Sequence, residues 1–235
     1  MPWGSSLRLE VFDTALQVEQ AAALEFRSLV SPTAVFGFAT GKTPLGIYRE
    51  LGKQGPLECS AAFSLDEYLG LSASDPNSFA HYVRHRIEPE LGLPSGFVNV
   101  LDGSAIDLMR ECARFERLID ENPIDLQLLG TGRNGHIAFN EPGSARDSVT
   151  RVVDLDYATR SDNGGDFGGL APEKAITQGV ATIMRAKRVL LVATGSAKKR
   201  PLAQLFSGVI DPAWPISYLT EHPDLVVLAD QAAMD

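Results

Sequence analysis

The chain has little cysteine: two residues among 235, Cys59 and Cys112, in unrelated settings. That excludes a disulfide framework and a cysteine-ligated zinc cluster, and a reducing cytoplasm becomes the expected compartment. Positive charge is also scarce, with 21 Lys and Arg against 30 Asp and Glu and a net charge of −9. Without a broad basic face, neither nucleic acid nor an anionic membrane surface is an expected partner, and an anionic ligand must be held by a few local donors. No apolar run reaches membrane-spanning length, and the N-terminus lacks the basic-then-apolar pattern of a secretion signal. No Ser/Gly/Pro-rich linker divides the chain and no repeat recurs.

What is present is a 44% hydrophobic composition, enough for the core of a single enzyme-sized domain, expected to span residues 1–235. Asp13 or Thr14 can cap a helix running to about Leu29, TAVFGFAT (33–40) reads as a buried strand, and Pro44 stands where a helix takes its first residue, opening PLGIYREL. AAFSL (61–65) is a short strand ending at Asp66. Asn77-Ser78 can start a helix through FAHYVRHRI (79–87), VNVL (98–101) is a strand, and helical periodicity runs from Ala105 to Ile119. IDLQLLG (124–130) is a near-continuous apolar strand. A glycine-dense stretch at 141–174 reads either as a lid over a site or as an ordinary surface connection. Beyond it, KAITQGVATIMRA (174–186) reads as a helix, RVLLVATG (188–195) as a strand, AKKRPLAQLF (197–206) as a helix and DLVVLA (224–229) as a final strand. This alternation implies an α/β fold with a mainly parallel sheet covered on both faces, in which ligands bind beyond the carboxyl ends of the strands.

Four polar clusters follow strands: ATGKTP, DEYLG, GTGRNGHIAFNEPGS and ATGSAKK. The first has the outline of a nucleotide-binding P-loop. That loop needs four residues between its first glycine and the Gly-Lys pair, whereas only Phe38, Ala39 and Thr40 separate Gly37 from Gly41, and Pro44 removes an N–H as the next helix begins. The first and last clusters offer glycine, hydroxyl and lysine, the groups a phosphate needs. The other two offer carboxylates, an amide and a histidine. Singly, each has a bland reading: a helix start, a strand-end turn, a hydrogen-bonded structural histidine. Their joint placement after strands sets them apart.

ATGKTPLGIYREL, FSLDEYLG, IDLQLLGTGRNGHIAFNEPGS and the late ATGSAKK resemble the motifs of the glucosamine-6-phosphate deaminase (isomerase) family, in the family's order across nearly the whole chain. WPISYLTEHPDLVVLAD matches as well, and GHIAFNEPG after LLGTG is the most specific of these. The resemblance implies a modified Rossmann-like three-layer sandwich and conversion of glucosamine 6-phosphate and water to fructose 6-phosphate and ammonia. It implies a small-molecule amino sugar phosphate as partner, with no cofactor and no metal.

By the same resemblance Asp66 carries the proton between C2 and C1, a role suited to a carboxylate whose pKa burial, or nearby Glu67, would raise. His136 is the ring-opening acid/base and Glu141 the carboxylate that works with it. Larger members carry aspartate two residues before this histidine. Here Asn134 stands there, an amide expected to orient the ring while leaving charge stabilisation to Glu141. Thr40, Gly41, Lys42 and Thr43 match the phosphate loop, and Lys198 matches the lysine after the penultimate strand. The family arginine that follows its TR motif is missing: Thr159-Arg160 continues SDNGGDFGG, with glycine near the expected position, Gly165. Lys42 or Arg160 is expected to replace that cation.

Allosteric relatives have a C-terminal extension and a basic pair where this chain has Arg151 and Val153. A monomer or homodimer without amino-sugar-phosphate activation is expected. The altered loop leaves galactosamine 6-phosphate open as substrate. A 6-phosphogluconolactonase-like hydrolase is the nearest enzymatic alternative. A sugar-phosphate sensor would need a basic helix-turn-helix, for which there is no room before residue 14.

Overall fold

A computed structural model describes residues 7–234, apart from the side chain of Lys42. Seven strands form one parallel sheet: β1 (Leu7–Phe12), β2 (Val35–Phe38), β3 (Ala61–Ser64), β5 (Val98–Asn99), β6 (Leu126–Leu129), β9 (Arg188–Ala193) and β10 (Leu225–Asp230), in the order β1-β10-β9-β6-β2-β3-β5. Every residue of β2, β3, β6 and β10 is buried, as strands covered on both faces require. A second, antiparallel sheet pairs β4 (Asp66–Tyr68), β8 (Lys174–Thr177) and β7 (Arg151–Asp154), in that order.

The helices are α1 (Ala15–Leu29), α2 (Lys42–Gly52), α3 (Phe79–Tyr82), α4 (Glu88–Leu91), α5 (Leu108–Glu121), α6 (Tyr157–Asp162), α7 (Val180–Met184), α8 (Lys199–Phe206) and α9 (Gln231–Met234). A π-helical turn, Val83–Ile87, joins α3 to α4. Crossovers through α1, α2 and α4 step one way across the sheet, from β1 to β2, β3 and β5. Those through α5, α7 and α8 step back to β6, β9 and β10. Right-handed crossovers therefore put the two sets on opposite faces, giving three layers. On the first face, Phe26, Phe36, Phe38 and Tyr48 pack ring against ring, with Phe26 and Phe36 centred 5.3 Å apart. Elsewhere in the core, Phe63 of β3 meets Phe115 of α5 edge-on at 5.7 Å. Tyr68, Phe139, Leu155, Ala171 and Ala175 form a separate small core at the antiparallel sheet.

The reversal of direction falls between β2 and β6, which are hydrogen-bonded neighbours. In doubly wound sheets this is where a crevice opens at the carboxyl ends of the strands. The strands flanking the pair are β3 and β9. The four neighbours β9-β6-β2-β3 thus deliver all four polar clusters to one edge.

Several elements differ from the sequence reading. No strand is expected at Leu7–Phe12, yet β1 pairs along its whole length with β10; it is an edge strand whose Leu9 and Val11 are exposed, so its apolar signal is weak. The α1 cap is Thr14 rather than Asp13, in a reciprocal capping box with Gln17. Helix α2 opens at Lys42, two residues before Pro44. The 174–186 helix is a correction: its first part is strand β8, paired on both edges, and only Val180–Met184 is helical. Buried backbone pairing outweighs the helical spacing of a segment that Gly179 already interrupts. Within 141–174, β7, α6 and a 3₁₀ turn (Gly164–Phe167) replace the expected irregular stretch. Glycine is required in that turn at Gly164, where an added Cβ would lie 1.7 Å from the Gly169 carbonyl oxygen.

Candidate active site

Asp66 stands just past the end of β3 and begins β4, where its backbone pairs with Thr177. The side chain is 6% exposed, and burial first, then the charge of Glu67, pushes its pKa from an ordinary 3.8 up to about 8. Glu67 serves the backbone instead. Its carboxylate accepts the N–H groups of Tyr68 (2.8 Å), Phe79 (3.0 Å) and Ala80 (2.8 Å), closing the start of α3. Around Asp66 the walls are fixed by Gln178, whose Nε2 donates to the Ser64 carbonyl at 2.8 Å and whose backbone N–H donates to Leu65 O at 2.8 Å. Ser64 Oγ and Gln178 Oε1 are buried with no hydrogen-bond partner among the described residues.

His136 lies in the loop after β6. Its ring rests directly over Gly132: a Cβ there would sit 2.2 Å from His136 Cε1, so the glycine is what lets the imidazole lie flat on the loop. Thr131 Oγ1 donates to the His136 carbonyl at 2.9 Å and closes the turn. Asn140, fully buried, donates to the carbonyls of Ile137 and Gln178, both at 2.9 Å, and accepts from Arg151 Nη1 at 2.8 Å. Between them Ala138 is held at φ 50°, a left-handed conformation uncommon for a residue with a Cβ and maintained by these surrounding bonds.

Glu141 Oε2 is 3.6 Å from His136 Nδ1, and Thr159 Oγ1 approaches the same nitrogen at 3.4 Å. Asn134 makes its hydrogen bonds to other groups than the ring. Its Oδ1 accepts the His136 backbone N–H at 3.2 Å and its Nδ2 donates to Glu141 Oε2 at 2.8 Å. The expectation that the amide orients the imidazole directly is thus corrected: it orients the carboxylate that faces the imidazole. Burial, the largest influence on Glu141, favours its neutral form, but His136, Thr159 and Asn134 together outweigh it and hold the pKa below the ordinary carboxylate value. Its other oxygen, Oε1, is buried without a partner among the described residues. An ionised carboxylate on one side of the ring leaves Nε2 for chemistry.

The loops after β2 and β9 are built alike. Gly41 (φ 106°) and Gly195 (φ 83°) each turn the chain into a helical segment in a conformation that favours glycine. Neither helical start has a side-chain cap, so first-turn backbone N–H groups of both are left without a side-chain acceptor. Two tyrosines pin the first loop: Tyr48 Oη donates to Ala39 O at 2.8 Å and Tyr82 Oη to Gly41 O at 2.5 Å. Thr40 and Thr43 are half-buried beside Gly41, and Lys42 opens α2, its side chain lying outside the described part. Lys198 reaches across to the loop after β6, donating to Thr131 O at 2.6 Å, and burial lowers its pKa. Arg160 is committed elsewhere: Nε donates to Ala171 O at 3.0 Å and Nη1 lies 3.4 Å from Glu173. It closes the 160–171 loop.

A cavity of about 520 Å³ opens on this edge, with Arg133, His136, Thr159, Asp162, Arg200 and Trp214 in its lining. Gly132, Arg133, Asn140, Thr159 and Trp214 are absent from the sequence-derived site. For Gly132 and Asn140 the GTGRNGHIAFN motif itself is a signal, and Thr159 and Trp214 stand in the TR and WPISYLTEHPDLVVLAD matches, but nothing in those letters brings these remote segments to the cavity that His136 lines. Among the described residues no three His, Cys, Asp or Glu side chains converge to hold a metal ion, and no helix is long and apolar enough to cross a membrane.

A family model described as glucosamine-6-phosphate isomerases/6-phosphogluconolactonase matches residues 13–227. The chain belongs to this family. Within the glucosamine-6-phosphate isomerase/6-phosphogluconolactonase family, it is 42% identical over 210 residues to a glucosamine-6-phosphate deaminase of Leuconostoc citreum, covering 88% of this chain and 89% of that one. A glucosamine-6-phosphate deaminase of Shouchella clausii is 42% identical over 224 residues, 92% and 91% of the two chains. A solved monomeric glucosamine-6-phosphate deaminase superposes with a TM-score of 0.92 at 38% identity, covering 96% of this chain and 98% of its own. The 6-phosphogluconolactonase of Trypanosoma brucei shares the fold, with a TM-score of 0.78 at 19% identity over 97% of each chain.

Proposed function

We propose that this protein is a glucosamine-6-phosphate deaminase, releasing ammonia and fructose 6-phosphate from glucosamine 6-phosphate and water. The observation that carries the reading is Asp66: a carboxyl buried at the carboxyl edge of the sheet, its pKa raised by that burial, next to a loop that presents a histidine–carboxylate pair. A proton carrier between adjacent carbons must both take and return a proton, which a carboxylate of strongly raised pKa does with little driving force lost either way.

In this mechanism His136 Nε2 protonates the sugar ring oxygen as the ring opens, with Glu141 stabilising the imidazolium and Asn134 fixing Glu141. Asp66 takes the proton from C2 as the C1 oxygen gains one, giving an enolamine, and returns its proton to C1, after which the nitrogen at C2 sheds one in exchange for that gained at the C1 oxygen. The resulting C2 imine is hydrolysed by water, which supplies the ketone oxygen and expels ammonia; in this sense the reaction is a hydrolysis joined to an isomerisation. Glu141 Oε1 is a ready acceptor for a substrate hydroxyl. The phosphate lies between the two glycine-turned loops, held by the backbone and hydroxyls of Thr40, Gly41 and Thr43, with Lys42 and Lys198 as cations. The structural likeness to a monomeric deaminase and the replacement of a basic pair by Arg151 and Val153 support a monomer or homodimer without an activator. Arg151 is engaged with Asn140 and Ser144 in forming the loop.

The test is a coupled ammonia assay on glucosamine 6-phosphate, galactosamine 6-phosphate and 6-phosphogluconolactone. Ammonia from glucosamine 6-phosphate without lactone turnover is the expected result. Lactone turnover alone would overturn the reading, and preference for the galactose epimer would correct its substrate.

A further inference from the structure

The sugar-phosphate reading leaves a charge problem, because glycine stands where the family arginine is expected. The cavity that holds His136 offers an answer. In a chain of net charge −9, its described lining includes Arg133 and Arg200 against a single carboxylate, Asp162, with Lys198 close behind. Arg200 lies over the Trp214 ring, 5.5 Å from its centroid. Arg133 is differently placed. It projects from the loop after β6, three residues before His136 and two after Thr131, whose carbonyl holds the Lys198 amine. Its guanidinium makes a two-pronged pair with Asp162, Nε to Oδ2 at 2.9 Å and Nη2 to Oδ1, and its side chain remains 60% exposed. Burial keeps the Lys198 amine below its ordinary pKa, and both Asp162 and Arg133 are near enough to act on it.

We propose that Arg133 is a phosphate-binding arginine of this enzyme, supplying from the β6 loop, alongside Lys42 and Lys198, the guanidinium missing at Gly165. The Asp162 carboxylate holds the fork geometry that a phosphate takes. A sugar phosphate dianion entering beside Lys198 displaces this single negative charge, and Arg133 turns from α6 to the ligand. The proposal rests on the sugar-phosphate reading but not on which sugar is used.

Arg133→Gln and Asp162→Asn separate a ligand contact from a structural ion pair, with glucosamine 6-phosphate kinetics and calorimetric titration of inorganic phosphate as readouts. Losing a charge-assisted fork should raise KM by roughly tenfold or more in Arg133→Gln and weaken phosphate binding to match, with kcat changed by less than about threefold. Asp162→Asn, which breaks the pair but keeps Arg133, should leave KM unchanged or lower. Unchanged KM and phosphate affinity in Arg133→Gln overturns the assignment, as does an equal KM rise in both variants. If the wild type releases no ammonia from glucosamine 6-phosphate while Arg133→Gln loses phosphate affinity, the substrate reading fails and the arginine assignment stands.

Discussion

Replacing Asp66 by Asn should stabilise this protein while abolishing its activity, and the stabilisation should grow with pH. The unfolded carboxyl ionises near 3.8 and the folded one near 8, so between those values the native state holds a proton that unfolding releases. The contribution of Asp66 to stability is fully present below 3.8 and is lost as pH rises through 8. A gap of about 4 units at about 1.4 kcal/mol each sets a ceiling of about 6 kcal/mol, part of which relaxation around the carboxylate recovers. Asparagine cannot ionise and lacks this slope. Urea or thermal unfolding of both proteins from pH 4 to 9 is the assay: the advantage of Asp66→Asn should be near zero at pH 4, about 2 kcal/mol at pH 5 and largest above pH 8. In the wild type, kcat/KM should climb with pH toward about 8 as the carboxylate forms, the same ionisation that weakens the fold. A stability difference that does not change with pH would refute the argument.

Three further outcomes follow from the site geometry. Glu141→Gln removes the charge 3.6 Å from His136 Nδ1 and should lower kcat by about 10- to 100-fold in the ammonia assay; unchanged turnover would mean the carboxylate does not share the work of the histidine. Gly132→Ala puts a Cβ 2.2 Å from His136 Cε1, and the ring shift of about 1 Å that follows should cost about 100-fold in kcat with little change in circular dichroism. Wild-type kcat in that variant would show that the imidazole need not lie where it does. Tyr82→Phe deletes the 2.5 Å bond to Gly41 O, about 1 kcal/mol, and should raise KM several-fold with kcat kept; an altered kcat with constant KM would place the effect in the chemistry instead of in substrate binding at the Thr40–Thr43 loop.

What the sequence determines by itself is local. The alternation of apolar runs and amphipathic stretches specifies a parallel α/β sheet, because strands buried on both faces must be apolar throughout and β2, β3, β6 and β10 are largely so. Motif order also singles out Asp66, His136, Glu141, Lys198 and the Thr40–Thr43 loop as candidates, since they sit on short loops whose glycines are visible as letters. Where buried pairing overrides local preference, as in β8, or an exposed edge weakens the pattern, as in β1, the letters mislead. Tertiary structure alone decides that strands 9, 6, 2 and 3 are neighbours, so that residues as far apart as Thr40 and Lys198 reach one edge at the reversal between β2 and β6. It also decides that Asn134 serves Glu141, that Thr159 meets the imidazole, and that the one carboxylate among the described residues lining the cavity stands against Arg133. Such relations depend on packing between segments remote in the chain, and no local preference encodes them.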